Sequence, residues 1–121
     1  MADAVGGPHA RWVRGLSYMQ YDFRDDRLYL QRTSEEKEPL LQRLNRVEGQ
    51  VRGLRQMIEN DRYCGDEVQQ ASAITAAVRE VALLVISQHL EAGVNYAAEN
   101  GSRKPAVDEM IGLLRVAMRQ Q

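Results

Sequence analysis

The sequence predicts an all-α protein. At 121 residues the chain has the length of one domain. It contains only three prolines, and two long stretches place small or apolar residues at spacings that alternate between three and four. That spacing is typical of amphipathic helices, which bury one face. We therefore expect three helices within a domain formed by residues 34–121, preceded by an extension over residues 1–33.

The first 33 residues differ from the rest of the chain. They hold two glycines and a proline at residues 6–8, mixed charges and most of the aromatic side chains, without a sustained helical period. We interpret this stretch as a flexible or partly ordered extension. Two alternatives remain open: a basic arm for DNA, although aspartates dilute its five arginines, and a translation start at Met19.

The first predicted helix begins between Ser34 and Pro39. Thr33 or Ser34 is a suitable cap, acidic residues follow it, and a proline fits best in a first turn. Beyond the proline, one apolar stripe is formed by Leu40, Leu44, Val47, Val51, Leu54 and Ile58. Arginines flank this stripe, two on either side, at Arg43, Arg46, Arg52 and Arg55. The helix therefore combines a face to be buried with two basic flanks.

A polar break at residues 60–62 separates the first helix from a second, much longer one. The stretch from Cys64 to His89 has no proline, and its only glycine lies one residue in. Small or apolar residues recur at spacings of three and four: Val68, Ala71, Thr75, Val78, Ala82 and Val85. We expect the helix to continue to about Ala98, because residues 100 and 101 are an Asn-Gly stop signal.

A short third helix is predicted around Pro105, which is favoured in a first turn. One face of it carries Val107, Met110, Ile111, Leu114 and Met118. Three helices of these lengths do not bury their apolar stripes within one chain. Two chains that form an antiparallel four-helix core, with the short helices added, do bury them, so we expect a homodimer.

The two ends of the long stripe carry Cys64 and His89, which are 25 residues apart. At about 100° per residue they point from nearly the same face, but the helical rise separates them by roughly 37 Å. One chain cannot bring both to one metal ion unless the helix breaks. A second, antiparallel copy can, because it places its own His89 beside the first Cys64. If the two residues act together, their spacing implies a homodimer with two mixed sites and a two-fold axis near residue 76.

Composition limits the classes of function. The net charge is −1, but residues 40–55 hold four arginines and one acid, Glu48, a local charge of +3 that suits a polyanion. A single cysteine excludes an intrachain disulfide and fits a reducing cytoplasm. We find no signal core and no apolar run that approaches the roughly 20 residues of a membrane span, so we expect a cytoplasmic protein without a membrane partner. No carboxylate pair, nucleophile–base motif or phosphate loop indicates an enzyme.

One segment resembles a known family. The run LLQRLNRVEGQVRGLRQMIENDRYC, with HL 25 residues after its cysteine, is similar to the copper-sensing operon repressors, a family that also includes nickel/cobalt, formaldehyde and persulfide sensors. The likeness extends over roughly residues 40–118. It implies an all-α dimer that pairs into a homotetramer and binds operator DNA without a helix-turn-helix. An inducer then weakens DNA binding and releases transcription.

The resemblance also implies roles for individual residues. Cys64 and His89 fall on the family's metal ligands. Tyr63 and Glu109 fall on the tyrosine and the last-helix glutamate that link the metal site to the DNA surface in the copper branch. Arg43 falls on a DNA-contacting arginine, and phosphate contacts are predicted for the whole basic cluster, Arg43, Arg46, Arg52 and Arg55.

One position departs from the family pattern. The copper branch has a cysteine four residues after the histidine and the nickel/cobalt branch has a histidine there, whereas this chain has Gly93. Trigonal copper(I) prefers two thiolates and an imidazole, so the chain lacks one soft donor. The persulfide branch needs two cysteines, whereas this chain has one. The formaldehyde branch has one cysteine but a short N-terminus, whereas an extension of about thirty residues precedes the domain here.

We therefore predict a cytoplasmic, homo-oligomeric repressor whose inducer is a metal ion. Copper(I) bound between subunits by Cys64 and His89 is the first choice, and another transition metal ion is compatible with the same pair. Formaldehyde or another electrophile that attacks Cys64 is the strongest alternative inducer. A second hypothesis is an oligomeric family member that has lost sensing, which Gly93 favours.

Overall fold

The computed structural model describes residues 20–101 and 103–119. It contains a β-hairpin, formed by β1 (Gln20–Arg24) and β2 (Arg27–Gln31), and three helices: α1 (Ser34–Glu59), α2 (Cys64–Asn100) and α3 (Arg103–Arg119). The three helices of the sequence prediction are confirmed. The hairpin corrects the all-α prediction, because it places a small antiparallel sheet in a stretch that was expected to be a flexible or partly ordered extension. The alternative start at Met19 lies outside the described residues.

The first helix begins with a capping box. The backbone N–H of Glu36 donates to Thr33 Oγ1 at 3.1 Å, and the N–H of Thr33 donates back to the Glu36 carboxylate at 2.8 Å. Two donors that have no partner within the helix are satisfied in this way. Thr33 is therefore the cap, and helix α1 starts at Ser34, with Pro39 in its second turn rather than in the predicted first turn.

The break between α1 and α2 is a tight C-terminal cap. Asp61 has a φ of 54°, the backbone N–H of Arg62 donates to Met57 O at 2.9 Å, and that of Asp61 donates to Ile58 O at 3.2 Å. This pair of bonds is the Schellman arrangement, with an aspartate in the left-handed position that glycine usually takes. The chain turns at once, so that Cys64 is the first residue of α2.

Helix α2 continues without interruption for 37 residues and ends two residues beyond the predicted limit. Gly101 follows it with a φ of +62°, the left-handed conformation that ends helices and that glycine adopts without steric cost. Helix α3 starts two residues later at Arg103.

The hairpin has a two-residue turn in which Asp25 and Asp26 both have positive φ, 52° and 59°. Two positive values at a two-residue turn are the pattern whose twist matches that of the flanking strands. In the register, Tyr21 pairs with Leu30 and Phe23 with Leu28. One face of the hairpin is therefore apolar, and the other carries polar and charged side chains.

The apolar face of the hairpin covers part of α2. Tyr21 and Leu28 are buried together with Ala92, which is only 1% exposed. Tyr96 lies against two rings of β1, stacked on Phe23 at a centroid distance of 5.0 Å and edge-on to Tyr21 at 6.2 Å. The Tyr21 hydroxyl donates to Glu99, one turn further along α2. The hairpin is thus fixed by both apolar and polar contacts.

The described residues divide into two compact units. One contains residues 20–37 and 85–119, and the other contains residues 38–84. In the second unit, α1 and the first half of α2 are joined by a bond from Gln70 Nε2 to the backbone carbonyl of Gln50, 2.9 Å long. The same Gln70 nitrogen lies 3.3 Å from where a Cβ of Gly53 would be. Glycine at this position therefore provides space for the glutamine that ties the two helices together.

Much of the predicted apolar stripes is exposed within one chain. On α1, Leu40 and Val47 are buried, but Leu44, Val51 and Ile58 are exposed. On α2, Val68 and Val78 are exposed, as are large apolar side chains elsewhere on the helix, Leu83 and Val94. Exposed apolar area of this extent on two helices is typical of surfaces that another molecule covers.

Helix α2 is long and apolar enough to cross a membrane when only length and composition are considered. The sequence-based statement that no stretch approaches a membrane span is therefore wrong as a statement about composition. The most apolar part of this helix is not buried within the chain. Length and composition alone do not distinguish a span from a helix whose apolar face is covered by another helix.

Candidate metal centre and nucleic-acid interface

Cys64 is the first residue of α2, and it is exposed. The preceding residue, Tyr63, caps this helix with its backbone carbonyl, which accepts from Asp66 N at 3.0 Å. The Tyr63 side chain is exposed and its ring lies over Gly65, where an added Cβ would be 2.4 Å from Cε2. Gly65 therefore leaves room for the Tyr63 ring in this position at the start of α2.

His89 contacts Glu109, the residue of the last helix that the resemblance associates with the metal site. Nε2 of His89 lies 2.8 Å from Glu109 Oε1, and each of the two side chains is only 12% exposed. With the proton on Nε2, the imidazole donates to the carboxylate and keeps the lone pair of Nδ1 for another partner. A carboxylate behind a histidine is the usual arrangement at metal sites, because it fixes the tautomer and the ring orientation.

The second oxygen of Glu109 contacts the hairpin. The backbone N–H of Leu28 in β2 donates to Glu109 Oε2 at 3.0 Å. The carboxylate thus connects α2, α3 and β2 through its two oxygens. The sequence could not show this contact, because the hairpin was not predicted.

Gln88, next to His89, connects α2 to the start of α1. Its Oε1 accepts from Arg32 Nε at 2.5 Å, and its Nε2 donates to the backbone carbonyl of Glu36 at 3.1 Å. Glu36 is also the capping-box glutamate. The residue beside the candidate ligand is therefore bonded directly to the segment that opens α1.

Gly93 is buried one turn after His89. An added Cβ would lie 2.6 Å from Sδ of Met110, 3.1 Å from its Cγ and 3.3 Å from its Cε. The thioether of Met110 therefore fills the space that a side chain at position 93 would need. Sequence analysis placed Met110 only on an apolar face, since nothing in the sequence indicates which side chain meets Gly93.

The structure brings some of the predicted site residues together and leaves others apart. His89 and Glu109 are in contact, and Tyr63 is adjacent to Cys64. Because α2 is unbroken, Cys64 and His89 remain 25 helical residues apart on one chain. Among residues 20–101 and 103–119, no three His, Cys, Asp or Glu side chains are grouped so that they could hold a metal ion.

The four predicted DNA-binding arginines are all exposed on α1. At 100° per residue, Arg43 and Arg46 are about 60° apart, and Arg52 and Arg55 are about 60° apart on the opposite side of the helix. The second pair lies one turn from acids: Glu48 precedes Arg52 by four residues, and Arg55 pairs with Glu59 at 3.4 Å.

The first arginine pair has no acid one turn away in either direction. Arg43 instead donates to the backbone carbonyl of Pro39 at 3.2 Å. Positive charge on α1 is therefore least compensated at Arg43 and Arg46.

Comparison with known proteins gives a consistent family. The family model described as "Metal-sensitive transcriptional repressor" matches residues 36–116. The copper-sensing transcriptional repressor CsoR of Bacillus subtilis (strain 168) is 40% identical over 84 residues, which cover 69% of this chain and 83% of that protein. The copper-sensing transcriptional repressor RicR of Mycobacterium tuberculosis (strain ATCC 25618 / H37Rv) is 47% identical over 68 residues, 56% of this chain and 71% of that protein.

Solved structures agree with the sequence matches. The crystal structure of the copper-sensing repressor CsoR with Cu(I) from Geobacillus thermodenitrificans NG80-2 is similar with a TM-score of 0.65 and 38% identity, covering 74% of this chain and 94% of that one. The nickel-responsive transcriptional regulator InrS is similar with a TM-score of 0.64 and 28% identity, covering 69% and 94%. The β-hairpin precedes the segment that the family model matches.

Proposed function

The chain belongs to the family of metal-sensitive transcriptional repressors, and we propose that it binds operator DNA and is released by copper(I) bound between two copies. The observation that carries this proposal is its likeness to repressors described as copper-sensing, one of them solved with Cu(I). These relatives are repressors and not enzymes, in agreement with the sequence analysis. We propose that the protein acts in the cytoplasm, because operator DNA is its proposed partner.

We propose that Cys64 of one copy and His89 of another hold the metal ion. The donors fit copper(I), which prefers soft thiolate and also accepts imidazole. His89 supports this assignment because Nε2 is oriented by Glu109, which leaves Nδ1 to ligate. Cys64 supports it because its thiol is exposed at the start of α2.

The oligomer in this proposal is an antiparallel four-helix dimer that pairs into a tetramer. Its support is the exposed apolar area of α1 and α2, which a second copy would cover. An antiparallel partner places one copy's His89 beside the other's Cys64, because α2 has the length that the spacing argument requires.

For DNA binding we propose phosphate contacts by the four arginines of α1, with Arg43 and Arg46 as the principal pair. Their guanidinium groups are exposed, and no acid one turn away offsets them. Arg52 and Arg55 contribute less to this surface, because Glu48 and Glu59 share their side of the helix.

Hydrogen bonds of residues around His89 connect the proposed metal centre to the start of α1. Glu109 holds His89 and the hairpin, and Gln88 holds Arg32 and the carbonyl of Glu36 at the start of α1. A shift of α2 at His89 would therefore also move the start of α1, the helix that carries Arg43. In this proposal residues 34–121 bind DNA and metal, and the hairpin stabilises the part of the chain around His89. Tyr63, which directly precedes Cys64 in the chain, belongs to the same proposed centre.

The experiment is a binding titration on DNA from the protein's own promoter region, under reducing and anaerobic conditions. Copper(I), nickel(II), zinc(II) and formaldehyde are added in separate series. We expect copper(I) to release the DNA and Cys64→Ala to abolish that release. Release by formaldehyde alone would favour an electrophile sensor, DNA binding that nothing relieves would favour a non-sensing member, and no DNA binding would refute the repressor.

A mixing experiment tests the position of the site between copies. Cys64→Ala and His89→Ala should each fail to respond to copper(I). When the two variants are unfolded and refolded together, mixed dimers carry one intact pair, His89 from the first variant and Cys64 from the second. Partial recovery of the response is therefore expected. No recovery, with mixed dimers shown to form, would contradict a site shared between copies.

A further inference from the structure

The space beside Gly93 is filled by sulfur. Sδ of Met110 lies 2.6 Å from the ideal Cβ position of Gly93, closer than any real Cβ could approach it. The glycine is buried, and Met110 is half-buried. A thioether from α3 therefore stands where α2 has no side chain of its own.

The position that this sulfur fills is one helical turn from His89. Positions 89 and 93 are four residues apart on α2, so that their side-chain directions lie on one face with Cβ positions about 5–6 Å apart. On the other helix, Met110 directly follows Glu109, which is bonded to His89 at 2.8 Å. Neighbouring residues of α3 therefore contact α2 at two positions one turn apart, Glu109 at His89 and Met110 at Gly93.

We propose that Met110 is a third, soft donor for copper(I), together with Cys64 and His89, and that it replaces the side chain that Gly93 lacks. The inference rests on the function proposed above. A thioether is a soft ligand that suits copper(I) and contributes no charge. One thiolate, one imidazole and one thioether supply three donors with a net ligand charge of −1, whereas two thiolates and an imidazole would supply −2.

This donor set also predicts selectivity. A thioether is a poor donor for harder divalent ions, which prefer imidazole, carboxylate or water. Among the metals of the titration, Met110 should therefore contribute to the affinity for copper(I) and little to that for nickel(II) or zinc(II). If Met110 were only a packing residue, as methionines in irregular apolar gaps often are, its replacement by leucine would affect all three ions alike.

The test compares Met110→Leu with Met118→Leu in the full-length protein. Leucine conserves volume and apolar character while it removes the sulfur. Met118 is the matched control because it lies on the same helix and is 70% exposed. Affinity for copper(I) is measured anaerobically by competition with a chromogenic chelator, and sulfur ligands are counted by X-ray absorption of the copper-loaded protein.

We expect two sulfur ligands in the wild type and in Met118→Leu, and one in Met110→Leu. The affinity for copper(I) should fall at least on the order of 10- to 100-fold in Met110→Leu, the loss that removing a residue behind a metal ligand already causes. Zinc(II) affinity should stay within about twofold. An unchanged sulfur count and an unchanged copper(I) affinity would overturn the assignment of Met110, while copper-dependent release of DNA would leave the proposed function standing.

A second variant covers the possibility that Met110→Leu perturbs the helix contact. Gly93→Cys combined with Met110→Ala moves the sulfur from α3 to α2, and removal of the methionine makes room for the new side chain. We expect this variant to contain two sulfur ligands and to bind copper(I) at least as tightly as the wild type. One sulfur ligand in this variant would overturn the inference that position 93 faces the metal. Failure of the wild type to bind copper(I) would overturn both proposals.

Discussion

Glu109 uses its two carboxylate oxygens for two different partners. Oε1 contacts Nε2 of His89 at 2.8 Å, and Oε2 accepts the backbone N–H of Leu28 at 3.0 Å. A carboxylate can accept at both oxygens, whereas an amide has one acceptor and one donor group. The residue therefore provides a double acceptor between a candidate ligand and the hairpin.

Glu109→Gln should break one of these two contacts or reverse the other. If the amide NH₂ faces the N–H of Leu28, a part-buried donor without an acceptor costs about 1–3 kcal/mol. If the NH₂ faces Nε2 of His89, the imidazole accepts it only with its proton on Nδ1, the nitrogen proposed to bind copper. We expect the free energy of unfolding in urea to fall by up to that amount and copper(I) to release DNA less effectively. The matched control is Asp108→Asn, whose exposed side chain pairs with Lys104 on its own helix. A Glu109→Gln protein as stable and as responsive as the control would refute this role.

At the same scale, the sequence predicted His89 and Glu109 but not Met110. The first two follow from the resemblance, which assigns a role to each position separately. A role for Met110 depends on which side chain of α3 contacts Gly93. That contact is set by the packing of α2 against α3, which are joined through a left-handed glycine at residue 101. Periodicity indicates that Met110 lies on an apolar face but does not indicate what that face contacts.

Among the elements, the helices were predictable and the hairpin was not. The helices have long apolar periods and clear boundary signals, and their observed ends lie within a few residues of the expected ones. Each hairpin strand has only five residues, and the turn is Asp-Asp instead of the Asn-Gly that usually indicates such a turn. The alternation of Tyr21 and Phe23 with polar residues was present but too short to identify a strand without its partner.

The start of α1 allows a test at the scale of an element. Thr33→Ala removes the side-chain acceptor for the N–H of Glu36 and leaves the other half of the capping box in place. We expect the free energy of unfolding to fall by about 1 kcal/mol, the usual value for loss of a helix cap. Ser34→Ala is the matched control, because Ser34 is already the first helical residue. Equal stability of the two variants in urea would show that Thr33 is not the cap.

At the scale of the whole molecule, a chain with a net charge of −1 is proposed to bind a polyanion. This requires that basic and acidic side chains are separated on its surface, and α1 shows such a separation along its own length. The exposed apolar faces add a second requirement, since they need a partner before the protein is a stable unit. One chain considered alone meets the first requirement but not the second, because its apolar faces stay exposed until a partner covers them.

The separation of charge on α1 predicts unequal effects of its two arginine pairs. Replacement of Arg43 and Arg46 by alanine should weaken DNA binding strongly and should reduce the slope of log affinity against log salt by about 0.9 for each phosphate that the variant no longer neutralises. Replacement of Arg52 and Arg55 should have a smaller effect, because Glu48 and Glu59 already offset their charge.

Both double variants remove the same charge from the same helix, so each is the control for the other. Affinities for DNA are measured from low to moderate salt by fluorescence anisotropy. Equal slopes for the two variants would show that local acids do not decide which arginines bind DNA, and an unchanged slope in both would remove α1 from the interface.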